Sequence, residues 1–207
     1  MATCEIQYGT VRRPTVRNTS WDTARFEVCA HRYVDVSERD WGVALVNDGK
    51  FGHGLQQGQV SLSLLRAPTA PDPEADLGRQ EFAYALCPHA GGADAPVVRQ
   101  HAAALNQGLT VLPGVDAGAA RLPVRLEGEG LELAVLKAAE DGGALIARVV
   151  ETRGGRATGR LVCHDQRWRI VPTDLMEWRD RPEAAATGSL DLALGAFSIE
   201  TWRIVPA

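Results

Sequence analysis

Apolar residues in this chain recur every second position, and that period restricts the fold more than any motif does. In "ARFEVCAHRYVDVSE", Phe26, Val28 and Ala30 fall on one face while Glu27, Cys29 and His31 fall on the other. In "GQVSLSLLRAP", Val60, Leu62 and Leu64 alternate with Gln59, Ser61 and Ser63, and "QEFAYALCPH" sets Phe82, Tyr84 and Leu86 on one side. Each pattern suits a strand of an antiparallel sheet with one face packed and the other open to water or a second layer. Further along, "LELAVLKAAEDGGALIARVVETRG" reads as strand, turn, strand, because Glu140–Gly143 supplies residues that tolerate positive φ. "SLDLALGAFSIETWRIV" aligns Leu190, Leu192 and Leu194, breaks at Gly195 and resumes at Phe197, Ile199 and Thr201.

Helical signals are scarce. "PVVRQHAAALNQG", Pro96 to Gly108, has proline at its start, alanines inside and an Asn-Gln-Gly stop. One short helix among eight or more strands predicts an all-β protein of sandwich type. Prolines, glycines and alanines in "LPGVDAGAARLP", residues 112–123, interrupt the alternation and predict a boundary. The expected division is 1–115 and 120–207.

With 207 residues, 45% apolar and 23% charged, the chain has the makeup of an ordinary globular protein. A formal charge of −4 with scattered basic residues leaves no footprint for nucleic acid. No stretch approaches the roughly 20 apolar residues of a spanning helix, and "MATCEIQYGTVRRPT" has no signal-peptide core, so a cytoplasmic protein without membrane contact is expected. Cys4, Cys29, Cys87 and Cys163 never form CxxC and read as reduced apolar side chains.

Chemical motifs are few. "VNDGKFGHGLQQG", residues 46–58, contains GxGxxxG at Gly52, Gly54 and Gly58, but a strand pattern comes next where a phosphate-binding loop needs a helix. It reads as a glycine-rich hairpin connection. The histidines at 31, 53, 89, 101 and 164 show no zinc-ligand spacing, and Cys163 next to His164 would point to opposite faces of a strand. There is no GxSxG, and Cys87 has no cationic neighbour to activate it. Carboxylates carry more information. Asp72, Glu74 and Asp76 crowd the proline-rich loop 66–80, Asp48 lies in the glycine-rich turn, and Arg66 enters the same loop as a partner for an acid. Paired carboxylates are what glycosidases use, whereas solvation of a surface loop explains the same residues without chemistry.

Taken together, "RRPTVRNTSWDTARFEVCAHRYVDVSE", "GVALVNDGKFGHG", "LSLLRAPTAPDPEADLGRQEFAYALCPHAG", "LKAAEDGGALIARVVETRG" and "LALGAFSIETWRI" resemble the C-terminal β region of glycoside hydrolase family 38, the α-mannosidases. The resemblance implies an all-β fold: a large antiparallel β-sandwich of the supersandwich, galactose-mutarotase-like kind, present in part over 1–115, then a smaller β-sandwich over 120–207. In that family an α/β barrel carries the aspartate nucleophile and the zinc ligands of a retaining α-mannosidase. The barrel has no counterpart in this sequence. No catalytic residue, metal ligand or cofactor is therefore assigned to this chain, and the zinc is implied only for the intact enzyme. The implied role is structural and at the rim of the sugar site, inactive in isolation. The implied partners are the barrel, in cis or in trans, and an α-mannoside. Carried onto this sequence, the substrate-side residues are Arg66, Asp48 and Lys50, with Asp72 and Asp76 of the acidic loop. Two positions depart from the family: Phe51 stands where tyrosine is common and Gln80 where histidine is common. Two alternatives remain open at this level. The chain is either an independent carbohydrate-binding module using Trp21, Trp41, Trp168, Trp178 or Trp202 as a platform, or a non-catalytic subunit that pairs with a separately encoded barrel.

Overall fold

The computed structural model describes residues 1–93, 95–111, 113–114, 116 and 121–206. It divides into two compact units, Met1–Val111 and Leu112–Ala207. Half of the expected boundary segment 112–123 lies outside the described residues. Among the described residues no helix is long and apolar enough to cross a membrane.

The first unit begins with β1 (Ala2–Ile6), β2 (Gly9–Arg13), the one-turn helix α1 (Ser20–Ala24) and β3 (Val28–Cys29). It continues with β4 (Tyr33–Ser37), β5 (Trp41–Asn47), β6 (Gly52–Gln56), β7 (Gln59–Leu62), β8 (Tyr84–Ala90) and the helix α2 (Pro96–Gln107). Five strands form an antiparallel sheet in the order β2-β1-β4-β5-β8, and three form a second in the order β3-β6-β7. Ala2, Cys4, Ala30, Val34 and Leu55 make a core between these sheets. On its other face the five-stranded sheet carries α2, with Val98 and Ala102 packed on Tyr33, Ala44, Val46 and Cys87. From Ala44 to Asn47 strand β5 is buried at every position, which is why "ALV" is apolar without interruption rather than alternating.

Helix α2 occupies the segment that the proline start and glycine stop predict. The turn α1 carries no hydrophobic period and escapes prediction; it exists because of a capping box. Thr19 Oγ1 accepts from Asp22 N at 3.2 Å, while Asp22 Oδ2 accepts from Thr19 N at 3.0 Å.

Strand "QEFAYALCPH" keeps its period but buries the other face. Tyr84 and Leu86 are 58% and 70% exposed, whereas Cys87 and His89 are buried. The cause is tertiary, because α2 covers the Cys87 side of the sheet.

In the second unit the strands are β9 (Val124–Glu127), β10 (Leu131–Ala138), β11 (Leu145–Glu151), β12 (Ala157–Cys163), β13 (Arg169–Thr173), β14 (Ala186–Thr187), β15 (Ser189–Leu194) and β16 (Ile199–Val205). They form sheets ordered β10-β11-β16-β13-β14 and β15-β12-β9. These two sheets face each other across one core. Val124, Leu161, Cys163, Leu192 and Leu194 come from one sheet, and Ala147, Val149, Ile170, Trp202 and Ile204 from the other. The expected Leu190, Leu192, Leu194 face is the inward one. The "EDGG" turn joins β10 to β11 as an antiparallel pair, with Gly142 and Gly143 at φ of +77° and +71°. The whole is all-β, as the alternation predicts.

Candidate functional site

The site grows out of the glycine-rich turn after β5. Asn47, fully buried, ends that strand and organises the turn. Its Oδ1 accepts from Gly49 N at 2.9 Å and Lys50 N at 2.6 Å, and its Nδ2 donates to the His31 carbonyl at 3.0 Å. The strands on either side of this turn do not pair with each other: β5 lies in the five-stranded sheet and β6 in the three-stranded one. Residues 48–51 therefore cross between sheets. The hairpin of this stretch comes later, between β6 and β7, where Gln57 and Gly58 take φ of +52° and +78°.

Buried His53 supports the turn from below. Its Nδ1 lies 3.2 Å from the Phe51 carbonyl and so carries the proton, leaving Nε2 to face Asn47 Nδ2 at 3.4 Å. Burial lowers the His53 pKa from its ordinary 6.5. The folded state thus binds less proton than the unfolded chain once pH falls through about 6.5, and stability declines with pH from there to the folded pKa. The urea midpoint of the wild-type chain should fall between pH 7.5 and the folded pKa, and His53→Gln should remove that part of the slope. Equal slopes for the two proteins would contradict this account.

Asp48 and Ala83 form a reciprocal pair. Asp48 N donates to the Ala83 carbonyl at 3.1 Å and Asp48 Oδ2 accepts from Ala83 N at 2.8 Å. The carboxylate is thereby committed to fastening the turn to the segment entering β8. Lys50 places Nζ 5.5 Å from the centre of the Phe82 ring. In the proline-rich loop, Asp76 Oδ2 accepts from Arg66 N at 3.2 Å and Ala67 N at 2.7 Å, holding Ala67 at a φ of +45°. Asp72 Oδ1 accepts from Glu74 N at 2.9 Å and closes a local turn.

Lys50, Arg66 and Asp76 line one open cleft of ≈ 340 Å³, together with Glu27, Phe51, Ser63 and Gln80. Asp48 and Asp72 are not among its walls. Glu27 escapes prediction from sequence because it looks like one more residue on a solvated strand face. In the structure its carboxylate is largely covered, accepts a hydrogen bond from Ser63 Oγ, and stands 3.8 Å from the Arg66 guanidinium. Gly52 passes directly over this pair: a Cβ there would come within 3.1 Å of Ser63 Cβ and 3.4 Å of Glu27 Oε2. Phe51 and Gln80 both line the cleft. Two cations and two carboxylates face a space that also offers an amide. Such a set can donate to and accept from hydroxyl groups without a net demand for counter-charge.

None of the five tryptophans lines the cleft. Trp202 is 3% exposed in the core of the second unit, Trp168 packs against that core, and Trp21, Trp41 and Trp178 are exposed. Among the described residues no group of three or more His, Cys, Asp or Glu is placed to hold a metal ion, so these residues do not fit a zinc centre.

Residues 1–74 match the model of the glycosyl hydrolases family 38 C-terminal domain. α-Mannosidase 2C1 of Homo sapiens is 56% identical over 112 residues, which is 54% of this chain and 11% of that protein. α-Mannosidase G of Dictyostelium discoideum is 39% identical over 162 residues, 76% of this chain and 15% of that protein. The matched parts are thus about a tenth to a seventh of the length of these relatives. In fold, a family 38 glycosyl hydrolase from Enterococcus faecalis superposes with a TM-score of 0.75 and 20% identity, over 98% of this chain and 24% of its own. Residues 1–74 thus resemble the family 38 C-terminal domain in sequence, and nearly the whole chain shares the fold of a segment of a family 38 glycosyl hydrolase.

Proposed function

We propose that this chain is the C-terminal β-sandwich portion of an α-mannosidase, contributing to the rim of the sugar site and inactive by itself. The observation that carries the reading is the cleft. Glu27, Lys50, Phe51, Gly52, Ser63 and Arg66 converge on it, and all lie in the segment matched by the family model. Arg66 and Lys50 donate to sugar hydroxyls, Glu27 accepts from one and steadies Arg66, and Asp76 holds the Arg66–Ala67 backbone in place. Asp48 acts at one remove by fixing the turn that carries Lys50, and Asp72 by shaping the loop. In this reading residues 1–115 are part of the large sandwich and 120–207 form the small one, and the protein is cytoplasmic.

The nucleophile and the zinc belong to a catalytic α/β barrel that this chain meets in cis or in trans, and no hydrolytic step is assigned to residues of this chain. One surface feature supports a docking role. On the sheet face turned away from α2, Leu86 pairs across with Leu45 and Pro88 with Val43, which itself pairs with Val36. Leu86, Val36, Tyr84 and Trp41 are exposed there, leaving an apolar strip for the barrel to cover.

Two measurements test the reading. The isolated chain with zinc should not turn over a chromogenic α-mannoside; turnover that persists through purification and disappears with a chelator would overturn the inactive role. Mannose at high concentration should shift the backbone NMR signals of Gly49–Gly52 and Ser63–Arg66 selectively, and Arg66→Ala should abolish the shifts. Shifts elsewhere only, or none, would sink the rim assignment.

A further inference from the structure

A second cluster of the first unit takes no part in the cleft. The segment "VRRPTVRNTSWDTAR" contains four arginines, and three of them, Arg13, Arg17 and Arg25, line one narrow crevice of ≈ 20 Å³ with Leu55 and Val28. Among the described residues, no carboxylate lies within ion-pairing distance of these three. Pairs elsewhere in the fold, such as Lys137 with Glu177 or Arg203 with Asp141, show how this chain usually treats a partly covered cation. The one acid in the crevice, Asp22, is occupied: its Oδ2 accepts from Asn18 N, Thr19 N and Thr19 Oγ1 at 2.9–3.1 Å in the cap of α1.

Arg13 is the informative member. Strand alternation places it on the same face of β2 as Val11, and Val11 packs against the core between the two sheets. Arg13 thus enters the open end of that core, and its Nε is buried without a hydrogen-bond partner. Arg13 also hydrogen-bonds the Cys4 thiol, whose pKa burial pushes up to about 11, so that this partner is neutral and offers no counter-charge. A half-buried guanidinium with one unmet donor shares the crevice with two further arginines and a single carboxylate whose oxygen is already engaged in the helix cap, which leaves an excess of positive charge.

We propose that the Arg13, Arg17 and Arg25 crevice is a binding site for a phosphate group. Planar guanidinium groups match tetrahedral oxyanions through paired N–H donors, and three of them exceed what a single carboxylate needs. Free inorganic phosphate and the phosphate of a small ester share this chemistry. The site is separate from the cleft and does not depend on the function proposed for it.

The test titrates the 207-residue chain, at constant ionic strength, with inorganic phosphate, phenyl phosphate and acetate, reading backbone NMR shifts of residues 11–28 and heats of binding. Saturable phosphate binding is expected, weakened at least about tenfold in Arg17→Gln/Arg25→Gln, two exposed positions whose change leaves the fold intact. Arg13→Gln should likewise abolish the phosphate-induced rise in melting temperature, a comparison that holds even if this variant melts earlier. Tighter binding of phenyl phosphate identifies the ester as the source, and equal or weaker binding identifies free phosphate. The proposal is overturned by acetate binding as well as phosphate, by undiminished binding in the double variant, or by no saturation at roughly 20 mM phosphate.

Discussion

Glu151→Ala is expected to destabilise the second unit by about 3 kcal/mol, seen as a lower urea midpoint with unchanged slope. Glu151 ends β11 and is 1% exposed. Its Oε1 accepts from Arg153 N at 2.7 Å, and its Oε2 accepts from Gly154 N at 2.8 Å, Gly155 N at 3.2 Å and Phe197 N at 2.9 Å. One carboxylate thus gathers four backbone donors from two turns that are far apart in sequence. Bonds to a charged acceptor are stronger than neutral ones, and leaving a covered donor unmet costs roughly 1–3 kcal/mol. Gly154 and Phe197 themselves are exposed, so water replaces part of what is lost, and the total stays below the sum for four buried donors. The turns also depend on shape. A Cβ at Gly154 would lie 2.5 Å from the Phe197 ring, and both residues have positive φ. Glu151→Gln keeps the acceptor on one oxygen but turns the other into a donor facing N–H groups, so an intermediate loss is expected. A change below about 1 kcal/mol for Glu151→Ala would show that solvent takes over all four bonds.

Trp202→Ala is expected to cost about 3–5 kcal/mol, the range for deleting a large buried aromatic side chain. Trp202 lies on β16 between Ala147 of β11 and Pro172 of β13, and the small Ala147 leaves room for the indole against Leu192, Leu194 and Leu161 of the facing sheet. Truncation opens a cavity that neighbouring strands cannot close, because their backbones are fixed by ladders on both sides. The same experiment separates two roles of tryptophan. A buried Trp202 contributes stability and no sugar contact, so mannose-dependent NMR shifts at the cleft should be unchanged while the urea midpoint drops. Loss of the shifts in a variant that remains folded would return Trp202 to the platform role.

Much of the fold is legible in the sequence because its causes are local. Alternation in "SLDLAL" names the inward leucines of β15, glycines in "EDGG" name a turn, and proline and glycine bracket α2. The hairpin expected at "VNDGKFGHG" shows the limit of this: the turn is real, but its strands join different sheets, and pairing is a matter of partners that no local pattern names. The acids divide for the same reason. Asp48, Asp72 and Asp76 are visible as charged loop residues, yet each spends its carboxylate on backbone N–H groups, one of them 35 positions away at Ala83. Glu27, unremarkable in sequence, meets Ser63 across 36 positions and becomes the carboxylate beside Arg66.

By itself, then, the sequence determined the strand period, the turn chemistry, the single long helix and the resemblance to family 38, since each is written in neighbouring residues or their order. Tertiary structure alone decided which face of "FAYALCPH" is buried, which acids are free to act and where three arginines converge. Period two fixes only that the two faces of a strand differ. What covers each face, and which distant donor reaches a carboxylate first, depends on how the sheets stack.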